Sequence, residues 1–281
     1  VIPLYAAPIK VMKALKQYKL HLVPKINKVV PRQKVNIGSG IRYWVGWNML
    51  DEIRHPAITF TKISSDFRLP LPNNSQTLVY SSHFLEHIPE NAVLSLTSEI
   101  QRVMQKSALL VLKVPDFDLL VTEYRDNAFE TIKRYKLETL SRTWGQFGVT
   151  SSFKNMTSMV FAGFWSKEYG QHFTHRKLID SRLGYHGPAR LPEEQLDSIF
   201  YNHGPKDISR LLRAHIEIDP LFYKYNHQSA WTEDELVDSF ASEGFKRIAL
   251  DSKLNKKLIR RIPDYSEMRE ISKYYYFKLH S

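Results

Sequence analysis

The chain has 281 residues, no cysteine, 43% hydrophobic and 25% charged residues, and a net charge of +11. That length suits one large globular domain, or a domain carrying a sizeable insertion. The missing cysteine excludes a disulfide framework, a thiolate metal site and a cysteine nucleophile. No apolar run approaches the roughly 18 residues that a membrane-spanning helix requires.

The opening VIPLYAAPIKVMKALK has no initiator Met and lacks the basic, apolar and small-residue order of a signal peptide. A trimmed start and a cytoplasmic location are expected. Residues 1–34 carry eight cations (Lys10, Lys13, Lys16, Lys19, Lys25, Lys28, Arg32, Lys34) and no acid, leaving +3 on the other 247 residues. A basic arm on a nearly balanced body argues against a nucleic-acid groove through the fold. Within the arm, Val11, Leu15, Tyr18 and Leu22 share one helical face until Pro24 and Pro31 break the pattern. Such a helix serves either as a packing or subunit contact, centred on residues 9–23, or as a peripheral attachment to an anionic membrane surface.

From Lys34 the pattern alternates as in α/β proteins. Val35–Ile37 and Asn48–Leu50 read as the first two strands, Ile58–Ile63 as the third and Thr77–Ser81 as the fourth. Glu90–Gln105 has helical spacing, and Ala108–Val114 is an apolar strand apart from Lys113, suited to a buried parallel sheet. After Asp116 the chain becomes rich in Tyr, Phe, His and Arg, with helical stretches at Leu119–Leu140 and Leu191–Phe200. Order returns at Trp231, where Thr232-Glu233-Asp234-Glu235 opens a helix in capping-box style. Phe245–Leu250 and Lys273–Leu279 close the chain as strands. A late cationic cluster, Lys253, Lys256, Lys257, Arg260 and Arg261, reads as a solvated loop.

Two glycines and an acid carry the chemistry of the first segment. Gly38-Ser39-Gly40 ends the first strand and Asp51 ends the second. Glycines let backbone approach a ligand, and a carboxylate at that point accepts hydrogen bonds from a ribose diol. The succession NIGSG-x5-GW-x-x-LD, DFRLPLPNNS, YSSHFLEHIP, EIQRVM and LVLKVPD resembles class I S-adenosylmethionine-dependent methyltransferases, and among them those associated with polysaccharide and cell-surface glycan synthesis. The resemblance covers residues 34–118 well and 230–281 loosely.

It implies a Rossmann-like, seven-stranded, mostly parallel sheet with helices on both faces and a helical insertion after the fifth strand. The corresponding division is a basic arm at 1–33, a cofactor-binding half at 34–118, an insertion at 119–229 that binds substrate or acts as a lid, and a completing segment at 230–281. It also implies S-adenosylmethionine as cofactor. Gly38, Ser39 and Gly40 would lie under its methionine part, Asp51 at the ribose, Asp66 and the Phe67 backbone at the adenine, and Ser82 and His83 near the sulfonium methyl. Glu86 and His87 belong to the same block, with a structural role equally open. The chain departs from the resemblance at Gln105-Lys106-Ser107, where Pro-Gly-Gly is usual. It also has no Asn-Pro-Pro-Tyr motif, which disfavours methylation of a flipped base.

A hydroxyl acceptor benefits from a general base, and histidine suits neutral pH. His83 and then His175 are the candidates. Six of the eleven histidines fall within 172–227. His172-x-x-His175 with Asp180 lacks a defined ligand spacing, so no metal is assigned. Phe161, Phe164, Trp165, Tyr169 and Phe173 read either as a stacking surface for a sugar ring or as the insertion's core. The expected activity is O-methylation of a saccharide or small hydroxylated acceptor. The alternatives are a nucleic-acid or protein methyltransferase guided by the arm, and a non-catalytic scaffold of the same fold.

Overall fold

The computed structural model describes residues 32–40, 43–52, 56, 58–61, 68–135, 152–162, 191–214, 227–249, 256–257, 259–263 and 271–280. The arm helix, the end of the third strand at Ile63, the C-terminal part of the 119–140 stretch and Lys253 lie outside them. Seven strands form one sheet: β1 (Lys34–Ile37), β2 (Asn48–Asp51), β3 (Thr59–Phe60), β4 (Gln76–Ser82), β5 (Met104–Pro115), β6 (Phe245–Arg247) and β7 (Ser272–Leu279). Their order is β3-β2-β1-β4-β5-β7-β6. The first five are parallel, and β7 runs antiparallel between β5 and β6.

From β1 the chain steps outward to β2 and β3, then returns to place β4 on β1's other side. The carboxyl ends of β1 and β4 therefore flank a topological switch point, where open α/β sheets bind ligands. Residues 108–114 of β5 are all buried, including Lys113, whose ammonium lies 5.5 Å from the Tyr274 ring centroid. Burial on both sides is why this strand reads as a continuous apolar run.

Seven helices are described: α1 (Glu90–Val103), α2 (Phe117–Arg125), α3 (Glu130–Tyr135), α4 (Phe153–Ala162), α5 (Glu193–Asn202), α6 (Pro205–Ala214) and α7 (Glu233–Ala241). One sheet face packs Val93, Leu96, Ile100 and Val103 of α1 with Leu236 and Phe240 of α7. Helices were expected on both faces. Among the described residues, the other face carries Trp44 and Trp47, set edge-to-face at 5.1 Å, together with Ile259, whose backbone is helical, and Ile262.

Thr232 opens α7 with the expected capping box. The helix expected over 119–140 is two helices. Asn127 and Phe129 adopt φ of 54° and 53°, a left-handed geometry that ends helices and that Asn tolerates. The Glu123 carboxylate then accepts from the Thr131 amide at 2.8 Å and restarts the chain as α3. Helix α1 passes directly into β5. Gln105, Lys106 and Ser107, which stand where Pro-Gly-Gly is usual, form an irregularity in which Gln76↔Met104 is followed by Leu78↔Leu109.

Helices α2 to α6 share a second core. Phe117, Tyr124, Phe161 and Phe200 are buried there, with Tyr124 stacked on Phe200 at 3.9 Å. The Tyr124 hydroxyl donates to Asp197, which also pairs with Lys154 at 2.8 Å. Burial, then the Asp197 bond and charge, push the Tyr124 hydroxyl well above the usual phenol range, so it stays a donor. No helix among the described residues is long and apolar enough to cross a membrane.

Candidate functional site

The glycine loop begins where β1 ends. Gly38 and Gly40 take φ of +72° and +59°, a region that favours glycine. The Gly38 and Ser39 amides both donate to the Leu50 carbonyl, at 2.9 and 3.1 Å, and the Gly40 amide donates to Asp51 Oδ2 at 2.7 Å. The amides of Gly38, Ser39 and Gly40 are thus all directed onto the end of β2. A pyrophosphate-binding loop presents such amides to its ligand, usually with a helix N-terminus behind them. This loop offers neither among the described residues. Asp51, which ends β2 beside this loop, is tied to it through the bond from the Gly40 amide. A Cβ built on Gly40 meets nothing within 4 Å, so the space over that residue is open.

Ser82 ends β4, half-buried, and His83 follows it with φ of 50°. A histidine in the left-handed region costs of order 1–2 kcal/mol and persists only where neighbours fix it. Three contacts do so here. The His83 amide donates to the Lys113 carbonyl at 2.8 Å, Nδ1 lies 3.0 Å from Glu86 Oε1, and Nε2 lies 2.8 Å from Ser272 Oγ. The resulting order is hydroxyl, imidazole, carboxylate, with Ser272 at the first position of β7 and Glu86 in a single 3₁₀ turn, Leu85–His87.

Glu86 is fully buried. Burial pushes its pKa up, but the hydrogen bond from His83 and the fields of His83, His87 and His227 outweigh it and hold the carboxyl at about 2. An ionised Glu86 can only accept, so Nδ1 of His83 carries a proton, and in the neutral ring Nε2 is the basic nitrogen. His227 is pushed down to about 3 by burial and then by His87, so it is neutral near pH 7.

Gly38, Ser39, Gly40, Asp51, Ser82 and His83 therefore gather at the carboxyl ends of β1, β2 and β4. Asp66, Phe67, His172, His175 and Asp180 lie outside the described residues. Of the aromatic set, Phe161 is fully buried in the second core, while Phe164, Trp165, Tyr169 and Phe173 lie outside. Ser272 and His227 were not singled out as partners of the His83 block. They stand 189 residues from His83 and 141 from Glu86, and only the crowding of histidines up to residue 227 hinted at either.

No protein-family profile and no curated protein matches the chain. Several solved structures share a slight likeness, among them the following. An S-adenosylmethionine-dependent methyltransferase from Mesorhizobium loti is 12% identical, with 88% of this chain and 90% of that one covered, at a TM-score of 0.35. A putative Zn-dependent alcohol dehydrogenase from Rhodobacter sphaeroides is also 12% identical, over 91% and 88%, at 0.35. PKMT2 from Rickettsia typhi, in complex with AdoHcy, is 9% identical over 90% of this chain and 50% of that one, at 0.33. Likenesses this slight fix neither the fold nor the chemistry, so the functional reading rests on the chain's own geometry.

Proposed function

We propose that the chain is an S-adenosylmethionine-dependent methyltransferase acting on the hydroxyl of a saccharide or other small acceptor. The observation that carries this reading is the Gly40–Asp51 bond at the switch point, beside loop amides turned inward. A carboxylate placed at the end of β2 suits the hydroxyls of an uncharged diol, and among the described residues the amides of Gly38, Ser39 and Gly40 are not turned toward a phosphate. The open space over Gly40 fits such a ligand.

When bound, the cofactor supplies a methyl on a sulfonium: the acceptor oxygen bonds to that carbon as the carbon–sulfur bond breaks and its electron pair stays on sulfur. The protein's part is alignment and proton management, and alignment alone supplies much of the effect. Asp51 and Gly38–Gly40 hold one reactant at the ends of β1 and β2. His83 Nε2 takes the acceptor's proton as the acceptor replaces or hydrogen-bonds Ser272, while Glu86 keeps the ring in the basic tautomer. Residues 119–229 are read as the acceptor side, with Asp66, Phe67 and His175 completing the site. The basic segment 1–33 is read as a subunit or membrane-surface contact.

Calorimetry of S-adenosylmethionine on the wild type and on Asp51→Ala tests the reading. Tight binding by the wild type and at least tenfold weaker binding by the variant are expected, since the variant loses a charged acceptor and frees the Gly40 amide. No binding to the folded wild type would leave a scaffold of this fold as the better account. Release of S-adenosylhomocysteine with saccharides, against nucleic acid or protein, then sorts the acceptor.

A further inference from the structure

We propose that Glu86, His87 and His227 form a binding site for one divalent transition metal of the zinc type. Each of the three side chains offers a donor atom, and the three atoms lie within 4.8 Å of one another. The rings of His87 and His227 meet edge to face with centroids 4.7 Å apart. Glu86 spends Oε1 on His83, whereas its buried Oε2 has no hydrogen-bond partner. An unmet carboxylate oxygen in a dry site is costly, and a cation is the partner that best repays it.

The surroundings already prepare the ligands. His227 Nδ1 donates to the Val160 carbonyl of α4, which leaves Nε2 with the lone pair. Metal-bound histidines are typically held by such a second hydrogen bond. The two ligand segments are stitched together by backbone. The Ser229 amide donates to the Glu86 carbonyl at 3.2 Å, Gln228 Nε2 to the His87 carbonyl at 2.9 Å, and Ser229 Oγ to the Leu85 carbonyl at 3.1 Å. Bond lengths of about 2.0–2.2 Å in a tetrahedral zinc site put donors about 3.3–3.5 Å apart. Donors at the 4.8 Å limit would therefore close by about 1.3–1.5 Å.

Two imidazoles and one carboxylate select zinc and its neighbours over magnesium or calcium, which take mainly oxygen. Three protein ligands leave a fourth position for water or an acceptor oxygen. The same carboxylate would then hold the metal through one oxygen and His83 through the other.

The test is zinc binding by chelator-stripped full-length protein, read by competition calorimetry and metal analysis, with Co²⁺ absorption reporting the ligand set. One equivalent is expected, with a rise in thermal midpoint. His87→Ala and Glu86→Gln should weaken it by at least the roughly 10–100-fold that second-shell changes cost. His87 is the half-buried member, so its variant is the one to read if Glu86→Gln fails to fold. Zinc retained at wild-type affinity in folded His87→Ala and lost in His175→Ala would overturn the proposal by placing the metal elsewhere. Absence of a stoichiometric equivalent in the wild type would overturn it outright. Neither readout depends on methyl transfer, so the two proposals fail separately.

Discussion

Gly38 is pressed against Phe84. A Cβ on this glycine would lie 2.3 Å from Cδ2 of the ring and 2.6 Å from its Cβ, at a φ of +72°. Phe84 directly follows His83, so the loop after β1 and the turn after β4 are in contact through these two residues. Gly40, two residues on, has a similar φ of +59° with open space where its side chain would be.

The two glycines should therefore respond differently to alanine. Gly38→Ala adds overpacking to left-handed strain and should cost about 3 kcal/mol or more. Gly40→Ala carries strain alone, about 1–2 kcal/mol, and its methyl enters the proposed ligand space. Chemical denaturation should show the larger loss for Gly38→Ala, and calorimetry the larger loss of S-adenosylmethionine affinity per unit stability for Gly40→Ala.

Arg102 clamps the turn that leads into β4. Its guanidinium donates to both Glu99 oxygens at 2.7 and 2.6 Å, to the Leu69 and Leu71 carbonyls at 2.9 Å, and to Asn73 at 2.7 Å. Arg102→Ala should cost about 2–4 kcal/mol, because the turn's carbonyls and a carboxylate lose charged donors. Arg102→Lys should recover little, since an ammonium cannot reproduce the fork. The bond from Arg102 lowers the Glu99 pKa; burial opposes it and the Leu69 amide assists it. A depressed folded-state pKa contributes stability that is present above the ordinary value of 4.5 and is lost as pH falls through the folded value. Denaturation midpoints of the wild type should fall more steeply below about pH 4.5 than those of Glu99→Gln.

That clamp shows what the chain discloses by itself. EIQRVM stands out as a motif, and the apolar run of β5 and the end of β2 at Asp51 follow from local pattern because each is set by a few neighbouring residues. What the motif's arginine does depends on the turn at 69–73, about thirty residues earlier. The break between α2 and α3 was hidden because 119–140 keeps helical spacing through Asn127 and Phe129, whose left-handed backbones periodicity does not register. The Ser272–His83–Glu86 arrangement was least visible. Its geometry exists only once β7 is laid antiparallel against β5, bringing Ser272 opposite Pro115.

Phe161 separates the two readings of the aromatic set. It is fully buried, 4.9 Å from Phe117 and 5.3 Å from Phe200 between ring centroids. Phe161→Ala should cost about 3–5 kcal/mol, as a cavity in a packed core does. The cost should appear in denaturation whether or not a saccharide is present. A stable variant that had lost only acceptor affinity would return Phe161 to the binding surface.

His83 carries the chemical step of the proposed reaction, and its variants should separate chemistry from folding. His83→Asn keeps a residue that tolerates φ near +50° and removes the basic nitrogen. With an acceptor established by the saccharide screen, kcat should drop about 10²–10⁴-fold, the usual contribution of a positioned general base. S-adenosylmethionine affinity should stay within about threefold, because His83 touches neither Asp51 nor the glycine loop in the bonds described above. Ser272→Ala removes the hydroxyl on Nε2 without removing the base, so it should cost about tenfold or less, through ring positioning alone. A full rate in His83→Asn would mean that the acceptor reacts without a base at this position, and the strained backbone of His83 would then serve only to join β4 to β7.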